Sequence, residues 1–175
     1  HRFTVASVYQ LPFGRTGNGV VRHVIGGWST NAIVQLQSGL PMTPQHSGDA
    51  GSMGTNQALR PDLICNPNLP RGEQTVEKFF RTECLALQTP MRYGTSGRSV
   101  ISGPGRIGVD LSVGKAPFGE HRDLQFRTEF FNAFNHPNFN VDLGHANIAD
   151  PGSFGKVAGT LSAPRIIELA LKLVF

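Results

Sequence analysis

Two short motifs and a few scattered side chains have the residue types that catalysis uses, and each is judged by the element it would sit on. Gly103-Pro104-Gly105-Arg106-Ile107-Gly108 fits G-x-G-x-x-G, in which glycines let backbone N–H groups approach a pyrophosphate. That pattern functions after a strand and at the start of a helix. Here it precedes an alternating segment, and Pro104 has no N–H to offer, so it reads as a glycine turn leading into a strand. Ser112-Val113-Gly114-Lys115 fits the S-x-x-K pattern of serine acyl-enzymes, but the companion S-D-N and K-T-G motifs are absent. The histidines are His1, His23, His46, His121, His136 and His145, and no two lie within five residues of each other. No local metal-ligand pair results. His46 with Asp49 comes nearest to one, and both read as solvated side chains of a loop. No nucleophile–base pair is visible. The expectation is a chain that is not an enzyme, with no catalytic residues, cofactor or metal.

Cys65 and Cys84 form no C-x-x-C pair and have no histidine at zinc-finger spacing. An even pair in a polar loop of an exported protein predicts a disulfide. The net charge of +4, from 16 basic and 12 acidic residues, raises nucleic acid as a partner. The charges are dispersed, however, with no run of three Lys or Arg, which fits a solvated loop surface. No nucleic-acid partner is expected.

The elements that would position these residues are strands. The 21 glycines and 12 prolines favour turns, and a hydrophobic content of 39% is low for a large self-contained core. Five segments alternate with period two, near 1–12, 28–38, 107–117, 123–135 and 164–175. In the last, Ile167, Leu169, Leu171, Leu173 and Phe175 point one way; Ile166, Glu168, Ala170, Lys172 and Val174 point the other. In the fourth, Leu124, Phe126, Thr128, Phe130 and Phe134 oppose Gln125, Arg127, Glu129 and Asn135, with Phe131 and Ala133. In the third, Ile107, Val109, Leu111 and Val113 oppose Gly108, Asp110, Ser112 and Gly114. Trp28, Thr30, Ala32, Val34 and Leu36 face away from Ser29, Asn31, Gln35 and Gln37 in the second, where Ile33 breaks the rule. Phe3, Val5, Tyr9 and Leu11 oppose Arg2, Thr4 and Gln10 in the first.

The connections run about 14, 70, 6 and 30 residues, a short–long alternation. Outer-membrane barrels have short periplasmic turns and long extracellular loops. Placing the chain end in the periplasm makes 38–106 and 135–164 extracellular loops. Residues 75–80 predict a short helix in the first of these, with Thr75 as N-cap. Asp110, Arg127, Glu129, Glu168 and Lys172 all fall on the polar parity and are expected to face the lumen, where Arg127, Glu129, Lys172 and Glu168 would pair across adjacent strands. Trp28, Phe118, Phe134, Phe139 and Phe175 gather near segment ends, as in an interfacial girdle. The alternative is a soluble antiparallel sheet with one buried face, which alternation alone fits equally well.

The run Glu129-Phe130-Phe131-Asn132-Ala133-Phe134-Asn135-His136-Pro137-Asn138-Phe139 resembles the E-F-F-N-x-F-N-H-P-N-F signature of Oar-like TonB-dependent outer-membrane transporters. These often carry an N-terminal carboxypeptidase-regulatory-like domain and are abundant in Acidobacteria. Supporting pieces occur in order: His1-Arg2-Phe3, Leu11-Pro12-Phe13-Gly14, Gly26-Gly27-Trp28, Leu36-Gln37-Ser38-Gly39-Leu40-Pro41, Arg60-Pro61-Asp62, Gly97-Arg98 and Gly103-Pro104-Gly105. The resemblance covers nearly the whole chain. It implies a barrel of about 22 strands around a plug, of which this chain, starting at His1 without a visible signal peptide, would be the C-terminal section, 1–175. The plug and the segment that engages TonB would lie upstream.

The expected fold is all-β, an antiparallel up-and-down meander of five strands belonging to a large transmembrane barrel. The expected function is TonB-coupled uptake of a small or oligomeric ligand: a siderophore, an oligosaccharide or a peptide. Expected partners are outer-membrane lipid and lipopolysaccharide, the barrel-assembly machinery, and TonB through the upstream plug. Ile167, Leu169, Leu171, Leu173 and Phe175 would form the assembly signal. Two alternatives stand beside this: a structural or adhesive barrel without coupled transport, and a secreted soluble carbohydrate-binding β-domain.

Overall fold

The structure is a computed structural model that describes residues 1–14, 19, 24–48, 54, 59–115, 123–142 and 144–174. Five long strands form: β1 (Arg2–Gln10), β2 (Trp28–Gln37), β3 (Arg106–Lys115), β4 (Asp123–Phe131) and β5 (Ile166–Val174). They lie side by side in chain order, each antiparallel to its neighbour, in one sheet. Alternating β-branched, aromatic and leucine side chains favour a pleated, half-covered surface, so local preference and pairing agree. The chain is therefore the all-β antiparallel meander that its periodicity predicts.

The chain divides into two compact units. The first comprises His1–Gln37, Arg106–Pro137 and Ser162–Phe175, and holds the sheet. The second comprises Ser38–Gly105 and Asn138–Leu161, the two long connections. Among the described residues the apolar core lies entirely in this second unit: Met42, Phe79, Phe80, Leu85, Ile101 and Val141, with Ile148, Phe154 and Val157 packed on it. Phe80 and Phe154, one from each connection, meet edge to face at 5.4 Å. Two-residue pairings brace it: Pro41–Met42 with Ile101–Ser102, Asp62–Leu63 with Leu85–Ala86, and Phe139–Asn140 with Gly159–Thr160. A Cβ at Gly94 would overlap the backbone oxygens of Arg60 and Pro61, so close backbone approach requires glycine there. A disulfide joins Cys65 and Cys84, 19 positions apart in sequence with Cα atoms 4.8 Å apart. That separation lies in the range a relaxed disulfide spans.

Several sequence expectations need correction. No helix forms at 75–80. Thr75 N–H donates to the Lys78 carbonyl at 2.9 Å, and Lys78 N–H donates to Thr75 Oγ1 at 3.0 Å, closing a tight turn instead. This is the local hydroxyl-to-backbone competition that draws Thr out of helices. Short 3-10 turns flank it at Arg71–Glu73 and Thr82–Cys84. The fourth strand, expected to reach 135, stops at Phe131 because Asn132 takes a left-handed φ of 49°. Phe139 sits not at a sheet end but in the second unit, opposite Thr160. Phe118 and Phe175 lie outside the described residues.

Candidate functional site

Directly opposed residues in an antiparallel pair project to the same side, so the registers decide which of the five alternations share a face. They join without a break. One row runs Tyr9, Thr30, Val113, Thr128, Leu169; the next runs Ser7, Ala32, Leu111, Phe130, Ile167. Trp28, Lys115, Phe126 and Leu171 make a third. Val5, Val34, Val109 and Phe3, Leu36, Ile107 continue the face over β1–β3. On β5, Leu173 stands opposite Leu124, whose side chain lies outside the described residues.

Among the described residues the β5 part of this apolar face is uncovered, whereas Thr128 in the neighbouring strand is buried. Leu169 is 71% exposed, Leu171 69% and Leu173 64%. Soluble monomers rarely leave apolar patches above a few hundred Å² bare. The strand length suits a membrane: ten residues of β3, tilted at about 40°, rise roughly 23 Å. Lys115 is the one charged side chain on this face among the described residues. A lysine on a lipid face costs roughly 2–4 kcal/mol at the midplane and about 0–1 kcal/mol near the interface. Lys115 ends β3, and its Nζ lies 5.9 Å from the Trp28 ring centroid. Trp28 in turn meets Phe126 edge to face at 6.1 Å. An aromatic pair and a terminal lysine are what a membrane boundary favours.

The opposite face is polar. Asn31 Nδ2 donates to Ser112 Oγ at 2.9 Å, and Arg2 donates to Gln35 Oε1 at 3.2 Å. The five charged residues expected there separate into distinct roles. Asp110 Oδ1 accepts the Asn132 N–H at 2.9 Å and so fixes the end of β4. Arg127 pairs with Glu129 at 3.3 Å along its own strand. The expected cross-strand pairing does not form, because the register puts Glu168 opposite Glu129, Arg127 opposite Ala170 and Lys172 opposite Gln125. Directly opposed like charges are unfavourable, and of the two carboxylates Glu129 is the one that Arg127 pairs with.

The Glu129–Phe139 motif is a clamp between β4 and β5. Asn132 Oδ1 accepts the His136 N–H at 2.9 Å, while its Nδ2 donates to the carbonyls of His136 at 3.2 Å and Ala163 at 3.0 Å. Asn135, also left-handed at φ 51°, accepts the Arg165 N–H at 3.1 Å. Asparagine tolerates that backbone region better than other residues with side chains. Phe134 is left 74% exposed, and the Asn135 N–H closes the turn by donating to the Asn132 carbonyl at 2.7 Å. These polar atoms are used in holding the chain, and sequence reading had no means to see that.

In the second unit, Arg92 pairs with Asp62, Lys78 with Glu83 at 3.0 Å, and Lys156 with Glu77 at 3.1 Å. The Thr95 N–H, donating to Asp62 Oδ1 at 2.9 Å, holds that carboxyl below the usual carboxylate range, and Arg92 adds to the effect. A hydrogen bond with His145 likewise lowers Asp142. The segment between these pairs presents Leu87, Met91 and Tyr93 to solvent. A cleft of about 380 Å³ opens beside the disulfide, lined by Leu63, Ile64, Cys65, Asn66, Pro67 and Val100.

The model of a family described as "Outer membrane beta barrel domain" matches residues 1–168. No curated protein and no solved structure matches the chain.

Proposed function

Because the chain belongs to the outer membrane beta barrel domain family, and so to the bacterial outer membrane, we propose that its sheet is part of the wall of a TonB-dependent transporter and that its second unit is an extracellular ligand surface. The observation that carries the reading is the register. It merges five strands into one apolar and one polar face, while the long connections build a separate folded unit with its own core. The apolar face meets hydrocarbon and the polar face meets the lumen, since in lipid each backbone polar group needs a partner within the protein. The short connections are periplasmic and the second unit is external, as the length asymmetry of such barrels suggests. The Glu129–Phe139 motif supports the Oar-like type, with TonB engaged through an upstream plug.

The ligand is a siderophore, an oligosaccharide or a peptide, recognised on exposed loop positions such as Leu87, Met91 and Tyr93. Lipid, lipopolysaccharide and the barrel-assembly machinery are the other partners. The machinery would engage β5 and the residue after it through Ile167, Leu169, Leu171, Leu173 and Phe175. The test is uptake of labelled ferric siderophores, oligosaccharides and peptides by cells carrying the full-length protein. One class is expected to fall to background both when TonB is disrupted and when residues 87–93 are replaced by glycine and serine. Uptake of every class unchanged by either alteration would contradict coupled transport and leave a structural or adhesive barrel.

A further inference from the structure

We infer that the Cys65–Cys84 bond is exchanged through one sulfur only: Cys65 is a site of thiolation by a low-molecular-weight thiol, and Cys84 is the thiol expelled from it. The two cysteines stand in opposite surroundings. Cys65 lies in an exposed stretch with Ile64 and Asn66 and lines the cleft of about 380 Å³. Ile64, its neighbour in the cleft wall, is 68% exposed. Cys84 is fully buried at the end of a 3-10 turn, directly before Leu85 of the core. Their backbones are held together independently of the bond. The Ile64 N–H donates to the Cys84 carbonyl at 2.8 Å, and Asp62–Leu63 pairs with Leu85–Ala86.

Exchange begins when a thiolate attacks one sulfur of a disulfide, and access is one of the factors that decide which sulfur is taken. At Cys84 the core fills the approach; at Cys65 the cleft supplies it. A new S–S bond forms between the incoming thiol and Cys65. The Cys65–Cys84 bond breaks, and its electron pair leaves on Cys84. A charge in that apolar surrounding is costly, so the sulfur takes up a proton from water. The Asn66 carbonyl, 3.3 Å from Cys84 Sγ, then accepts the S–H. Because the backbone pairing keeps Cys84 beside Cys65, the reverse attack expels the small thiol and restores the bond with no external oxidant. While it lasts, the adduct releases the covalent closure of the loop between the two cysteines.

The test is brief exposure of the folded, oxidised full-length protein to glutathione. Acid quenching, capping of the released thiol with N-ethylmaleimide and peptide mapping by mass spectrometry follow. Glutathione is expected on the peptide that holds Cys65, and the maleimide on the peptide that holds Cys84. Ile64→Trp, which puts a large ring at the wall of the cleft, is expected to slow formation of the adduct several-fold and to leave the bond itself formed. Heat-modifiable mobility reports whether each sample is folded, and the wild-type map stands without any variant. Glutathione on Cys84, or divided evenly between the two cysteines, overturns the assignment. So does the absence of any adduct under conditions that thiolate the urea-unfolded protein. An unchanged rate in folded Ile64→Trp overturns the cleft as the route.

Discussion

Leu169→Arg in the full-length protein is expected to remove most of the folded barrel from the outer membrane, while Ala170→Arg leaves it in place. Leu169 lies near the middle of β5, on the face continuous with Val113 and Thr30; Ala170 lies on the side of Glu168 and Lys172. A guanidinium at the bilayer midplane costs roughly 2–4 kcal/mol, and the same group at the interface about 0–1 kcal/mol. The cost at Leu169 is a sizeable fraction of a domain's net stability of about 5–15 kcal/mol. Leu173→Arg, four positions nearer the strand end, is therefore expected to be milder than Leu169→Arg. That gradient with depth separates a membrane face from a soluble core, where burial rather than depth sets the cost. The readout is the heat-modifiable band in outer-membrane fractions. Equal loss at Leu169 and Ala170, or no loss at either, would oppose the assignment of faces.

Replacing Cys65 and Cys84 together by alanine is expected to open the second unit without unfolding the sheet. Closing a loop of this length restricts the unfolded chain by about 3 kcal/mol in the chain-entropy model. Cys84 is fully buried against the cluster that includes Phe80 and Leu85, so its sulfur also fills core volume. The sheet has its own ladder of backbone bonds and contains neither cysteine. Proteases added to intact cells should then cut within residues 59–100 on the order of a hundredfold faster, the equilibrium shift that a loss of about 3 kcal/mol implies. Heat-modifiable mobility of the barrel should persist. Unchanged protease resistance would show that the bond adds nothing to the loop unit, and loss of the barrel itself would contradict the independence of the two units.

What was legible in the sequence was what the period-two pattern and the turn residues express locally. The strand starts at Arg2, Trp28, Arg106 and Ile166 fall within two residues of where the alternation begins. Register is not a local property, and Glu168 against Glu129 shows the consequence: charges on the correct parity were expected to pair across strands, but pairing depends on a slide the sequence does not print. Asn132 was visible as part of a motif, not as the residue whose side chain bonds both His136 and Ala163. The shared core of the two long connections was hidden for a related reason. Phe80 and Phe154 are far apart in the chain, and neither lies in an alternating segment. The short helix at 75–80 failed because a single threonine hydroxyl closed a turn first.

The central claim is that the continuous face carrying Ile167, Leu169, Leu171 and Leu173 meets lipid. Nitroxide labels placed one at a time at residues 167–173 of the full-length protein, reconstituted in vesicles, test it directly. Collision with dissolved oxygen reports lipid, and collision with a water-soluble nickel chelate reports water. The expected result is a period of two: high oxygen and low nickel accessibility at 167, 169, 171 and 173, and the reverse at 168, 170 and 172. Nickel accessibility that is uniform along the segment, or maximal at the leucines, would contradict it.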